Sequence, residues 1–120
     1  FIDPPGTMNA LTRNAICAAD QIIIPAMPSM IDFEATGLVF EEMEMMDVEA
    51  DVQIILNGFD SKKNVDNIYK SFIEEYPDHF YSKQISSMKS LKNLTARVNT
   101  YKLTGRAKEI IDQFVQEVIL

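Results

Sequence analysis

The chain has 120 residues, 47% of them hydrophobic, one cysteine, and a formal charge of −7 from 11 Lys and Arg against 18 Asp and Glu. That length suits one domain with a real core, a lone Cys17 excludes an internal disulfide, and no apolar run approaches the roughly 20 residues of a membrane-spanning helix. With no signal-peptide pattern either, the expected compartment is the cytoplasm.

Taken in chain order, Phe1 and Ile2 read as the end of a buried strand with Asp3 at its tip. Thr7 to Ala19 is expected to be a helix with Met8, Leu11, Ala15 and Ala18 on one face, and Cys17 reads as a small packing residue among alanines. The uninterrupted Ile22, Ile23 and Ile24 predict a fully buried strand from Gln21 to Pro25. Asp32 reads as the cap of a second helix running to about Met46, with Met43 and Met46 continuing the spacing of Val39 towards a core or a dimer face. Val52 to Leu56 is the next strand, broken by Asn57 and Gly58. Val65, Ile68, Tyr69, Phe72 and Tyr76 lie at helical spacing, and Pro77 stops that helix. Phe80 to Ile85 reads as a further strand, and His79 before it as a surface loop residue. A short helix around Leu91 to Arg97 follows. Thr104 opens a last helix whose inner face is Ile110, Ile111, Phe114, Val115 and Val118.

Strands alternating with helices predict an α/β fold: a three-layer arrangement with a mostly parallel sheet and helices on both faces. Ligands of such sheets sit beyond the carboxyl ends of the strands. The loops Asp3 to Gly6, Pro25 to Ser29 and Asn57 to Asp60 each follow a predicted strand, so three loops are expected on one rim.

The first of these loops carries the most chemistry. A carboxylate at a strand tip can hold hydrated Mg²⁺ beside a nucleotide phosphate, and Gly6 leaves room for a backbone amide to approach a terminal phosphate. That is the layout of a Walker B strand and its switch loop, although Asp, Pro and Gly are also ordinary turn residues. Asn57 after a buried strand can read an adenine edge, or make a turn with Gly58.

Thr12, Asn14, Ala15, Ala18, Ala19 and Asp20, then the strand Gln21 to Ile24 with Pro25, Pro28, Asp32 and Gly37, resemble the ParA partition ATPases, deviant Walker P-loop enzymes that segregate plasmids and chromosomes. The resemblance is strong over Phe1 to Glu44 and rests on element order from there to Leu120. Many members read Asp-x-Pro-Pro, whereas Pro5 and Gly6 stand at those last two positions here, closer to the small plasmid-type members. No GKT or GKS occurs in the sequence, so the P-loop is missing. A chain opening on Phe inside an apolar run reads as the C-terminal portion of a longer P-loop ATPase, one domain lacking the P-loop strand. The lone cysteine argues against the related iron–sulfur reductases.

Charge is divided unevenly along the chain. From Phe1 to Asp60 the one basic residue is Arg13, set among acids, whereas Lys83, Lys89, Lys92, Arg97, Lys102, Arg106 and Lys108 run without an intervening Asp or Glu. Such a stretch can neutralise phosphates without reading sequence, or be a solvated surface balancing the acidic half. The resemblance favours nonspecific DNA, since partition ATPases bind it through basic residues in their C-terminal part. It also implies ATP and Mg²⁺ in the whole protein, with Asp3 positioning Mg²⁺ through water, Gly6 sensing the terminal phosphate and Asn57 contacting the base. A homodimer and a centromere-binding, ParB-like partner are implied as well; exposed Met27 and Met30 beside the rim would suit such contacts. The chain alone, having no complete catalytic set, is expected to bind neither cofactor nor to turn over ATP. A membrane role like that of the relative MinD is not expected, because the last helix carries Glu109, Asp112 and Glu117 on its outer face. The competing expectation is a non-catalytic interaction or dimerisation module on a degenerate P-loop scaffold.

Overall fold

The computed structural model describes residues 1–59, 66–81, 85–86 and 105–120. Its centre is a pair of parallel strands, β1 (Gln21–Ala26) and β2 (Asp51–Phe59), in register from Gln21 opposite Asp51 to Ala26 opposite Leu56. The apolar runs Ile22–Ile24 and Ile54–Leu56 favour extended backbone, and parallel pairing demands a long crossover, supplied by the helix between them. A short β3 (Ile85–Ser86) pairs in parallel with the far end of β2, giving the order β1-β2-β3. Before it, Phe80 bridges Ile54: the Ile54 N–H donates to the His79 carbonyl at 2.6 Å and the Tyr81 N–H donates to the Ile54 carbonyl at 2.9 Å.

Helix α1 covers Ala10–Ala18, shorter than the sequence suggests because Asn9 caps its start, its Oδ1 accepting from the N–H groups of Leu11 (2.9 Å) and Thr12 (3.1 Å). Its inner face is also rotated. Ile16 is buried with Thr12, Ala15 and Ala19 half-buried beside it, whereas Leu11 is 65% exposed. Helix α2 covers Met30–Met45 and is capped by Ser29, not Asp32. Asp32, the third residue of the helix, bonds back to that cap: its N–H donates to Ser29 Oγ at 3.2 Å, while Ser29 Oγ–H donates to Asp32 Oδ2 at 2.9 Å. The helix ends in a Schellman turn, with Val48 N–H on the Met43 carbonyl (3.0 Å) and Asp47 N–H on that of Glu44 (3.1 Å). Asp47 therefore holds the left-handed position, at φ 54°, where glycine is usual. Helix α3 covers Asp66–Glu75 and stops before Pro77; α4 covers Gly105–Phe114 and continues as a π turn over Val115–Ile119.

Alternation along the two strands sends side chains to opposite faces. On one face Ile22, Ile24 and Ala26 of β1 and Val52, Ile54 and Leu56 of β2 meet Ile16 of α1, Phe33, Phe40 and Met43 of α2, and Phe72 of α3. On the other, Ile23 and Ile55 meet Tyr81, Phe114, Val118 and Ile119. Phe72, Ile54 and Leu56 are fully enclosed, each burial contributing about 2 to 3 kcal/mol before entropy.

Four expectations need correction. Phe1 and Ile2 belong to no strand and are 111% and 64% exposed, since no described strand lies beside them to pair with. The β1 isoleucines are half-buried, not buried, because among the described residues β1 has a hydrogen-bonded neighbour on one side only; Pro25, which has no N–H to donate, suits that position. Asn57 and Gly58 do not break β2. Gly58 takes φ 74° and the strand passes through a bulge while pairing Asn57 with Ile85 and Phe59 with Ser86. Cys17 is exposed rather than packed, its Sγ 3.6 Å from Met46 Sδ.

Candidate functional site

The candidate rim is the carboxyl end of the β1–β2 pair. Parallel register sets Ala26 beside Leu56, so the turn Met27–Ser29 leaves β1 at the end where Asn57 and Gly58 carry β2 on towards β3. The first turn is held rigidly: the Met27 N–H donates to Asp32 Oδ2 at 3.1 Å, the same oxygen that accepts from Ser29. Asp32 is thus occupied in fixing the loop to the start of α2, although the cap itself is Ser29. Asn57 is exposed at the end of the buried run of β2, with its side chain open to solvent. Met27, Met30 and Ile31, at 60%, 55% and 78% exposure, form an apolar patch on the same rim. Met43 and Met46 instead pack into the core with Val39 and Val52, as their spacing implies.

The segment carrying Asp3 and Gly6 is placed differently. Thr12 Oγ1 donates to the carbonyls of Thr7 (2.7 Å) and Pro5 (3.1 Å), tying this loop to the first turn of α1. Phe1, Ile2 and Pro4 line an open cleft of about 450 Å³ whose opposite wall includes Asp20, Gln21, Ile22 and Ile23, along the outer side of β1. Asp3 itself is exposed. A Cβ added at Gly6 would meet open space, so no contact within the described residues requires glycine there. Among the described residues no group of three or more His, Cys, Asp or Glu could hold a metal ion.

Of the basic stretch, Lys83, Lys89, Lys92, Arg97 and Lys102 lie outside the described residues, as do Asp60 and the predicted helix around Leu91 to Arg97. Arg106 is exposed on the first turn of α4 and makes no ion pair among the described residues; Lys108 pairs with Asp112 one turn on. Glu117 accepts from Tyr81 Oη–H at 3.0 Å, so it is not simply a solvent-facing acid. Burial and that carboxylate push the Tyr81 phenol up to about 12. His79 is not a free loop residue. Its Nδ1 lies 3.3 Å from the Val52 carbonyl and its ring 5.1 Å from that of Phe40.

Two features escaped the sequence reading. Arg13 and Glu42 form a two-point ion pair between α1 and α2, Nε and one terminal nitrogen each 2.7 Å from a carboxylate oxygen. The hydrogen bond to Arg13 holds the Glu42 carboxyl below the usual range. The second is a groove between α2 and α3, floored by Phe33 and Tyr76 and edged by carboxylates. Both depend on which helix faces meet, which local periodicity does not fix.

The chain matches no protein-family model and no curated protein sequence. Among the described residues no helix is long and apolar enough to cross a membrane.

Proposed function

We propose that this chain is the C-terminal part of a ParA-type partition ATPase, a three-layer α/β domain of P-loop type in which the P-loop strand belongs to a preceding segment. The observation that carries the reading is the parallel β1–β2 pair, whose carboxyl ends bring the turn Met27–Ser29 beside Asn57 on one rim. Packing on both faces of that pair supports it further. In the whole enzyme Asn57 would meet the base, Gly6 the terminal phosphate, and Asp3 a hydrated Mg²⁺ whose remaining ligands come from elsewhere. ATP-driven dimerisation would let Lys83, Lys89, Lys92, Arg97, Lys102 and Arg106 hold nonspecific DNA, with release prompted by a centromere-binding partner. The work would be cytoplasmic.

The chain alone lacks the P-loop amides and lysine that stabilise charge in phosphoryl transfer, so it should release no phosphate from ATP. The test is the coding sequence immediately upstream of Phe1. A KGG-x-GK-[ST] pattern there, with ATPase activity in the extended chain that Asp3→Ala abolishes, is the expected result; a start codon directly before Phe1 would contradict it. A second reading, a non-catalytic interaction or dimerisation module, is favoured by one observation. The outer edge of β1 faces a cleft, not another described strand, and an unpaired edge invites strand addition.

A further inference from the structure

Helices α2 and α3 enclose a groove of about 490 Å³ between Phe33, Gly37 and Leu38 on one side and Glu75 and Tyr76 on the other. Its floor is aromatic: the Tyr76 ring stacks on Phe40 at 4.7 Å and leans on Phe33 at 6.1 Å, and Leu38 offers a 53% exposed side chain at the edge. Gly37 keeps the floor open, because a Cβ there would sit 3.4 Å from the Tyr76 hydroxyl. Around this apolar floor stand Glu34, Glu41 and Glu75, all exposed, and none makes an ion pair among the described residues. Two of these carboxylates act on the floor. Besides burial, Glu75 and Glu41 raise the Tyr76 phenol above its ordinary range.

A groove that is apolar below and acidic around the rim selects its occupant by charge. An acidic or neutral segment would leave three carboxylates facing it without compensation, and a small inorganic cation would leave the aromatic floor uncovered. A polypeptide with a leucine-sized residue flanked by lysine or arginine satisfies both, because the aliphatic stems of the basic residues also cover apolar surface. We propose that the α2–α3 groove is a docking site for a basic amphipathic segment of a partner protein, with an apolar anchor on Phe33 and Tyr76 and cations meeting Glu34, Glu41 and Glu75. This inference is independent of the nucleotide reading and can fail or succeed without it.

The probe is an amphipathic Leu/Lys model helix, with a scrambled isomer of the same composition and oligolysine as comparisons. The expected result is saturable binding of the amphipathic peptide, perturbing the backbone amide resonances of Gly37, Leu38 and Tyr76, with both comparisons binding at least tenfold more weakly. Glu34→Gln/Glu41→Gln/Glu75→Gln should weaken binding about tenfold, whereas the equally charged control Glu44→Gln/Glu49→Gln/Glu109→Gln, outside the groove, should change it less than twofold. Leu38→Ser, an exposed change that leaves the core intact, should weaken it several-fold. Oligolysine binding as tightly as the amphipathic peptide, equal loss in both triple variants, or resonance changes away from the groove would overturn the proposal. So would concentration-dependent dimerisation that the groove triple abolishes, since the occupant would then be a second copy.

Discussion

Gly37→Ala should stabilise the chain, although the glycine touches another helix. Gly37 lies in the middle of α2, where glycine costs about 1 kcal/mol relative to alanine through the freedom it loses on folding. Its backbone is helical, so alanine adopts the conformation without strain. The opposing term is the new methyl group, and the structure bounds it. Its nearest neighbour would be the Tyr76 hydroxyl oxygen at 3.4 Å, an ordinary contact with the far end of a side chain that is partly solvent-facing. A few tenths of an ångström of ring movement relieves it, at a cost of a few tenths of a kcal/mol against stacking on Phe40 worth about 1 kcal/mol. The net expectation is a gain of about 0.5 to 1 kcal/mol, read by urea denaturation followed by circular dichroism with an unchanged slope. Gly37→Val should lose that gain, since β-branching lowers helix propensity and adds bulk towards Tyr76. Destabilisation by Gly37→Ala would refute the reasoning.

Asp47→Gly should stabilise by about 1 kcal/mol in the same assay, because it relieves a left-handed backbone and removes a carboxylate from the negative end of α2. The Arg13–Glu42 pair lowers the Glu42 pKa in the folded state, so its contribution is present above the unfolded carboxyl range and is lost as pH falls through the folded value. Acid unfolding of Glu42→Gln should therefore lack that part of the pH dependence. For Tyr81 the sign is reversed. A phenol raised to about 12 contributes stability that is complete below about pH 10 and lost as pH rises to 12, and Tyr81→Phe should flatten that alkaline limb.

What could be read from the sequence follows the range of the interactions involved. The two central strands were legible because Ile22–Ile24 and Ile54–Leu56 are dense apolar runs that few other structures accommodate. Asn57 and Gly58 read as a strand end because their turn chemistry is local, whereas pairing with Ile85 and Ser86 carries β2 through the positive φ of Gly58 as a bulge. Asp32 reads as the helix cap, whereas the cap is Ser29, three positions earlier, to which Asp32 bonds back through its N–H and its carboxylate. For Phe1 and Ile2 the reason is physical: strand identity needs a neighbour, and two apolar residues do not supply one. Of the three loops that alternation puts on one rim, the turn after β1 and the residues Asn57 and Gly58 lie at the same end of the sheet, whereas Asp3–Gly6 follows no described strand. The groove between α2 and α3 was not foreseen, although a glycine inside a helix, with Phe33 before it and Glu34 and Glu41 nearby, was a sign that another element approaches there.

The account's functional claim meets its most direct test in duplex DNA of arbitrary sequence, titrated with the chain by fluorescence anisotropy over a salt series. If the basic stretch holds phosphates, the logarithm of affinity should fall linearly with the logarithm of salt, with a slope of about −0.9 per phosphate neutralised, and Arg106→Ala should make that slope shallower by about 1. Sequence changes in the duplex should leave it unaltered. Absence of binding at low salt, or an affinity indifferent to salt, would contradict a DNA-holding partition ATPase and leave the interaction module as the better reading.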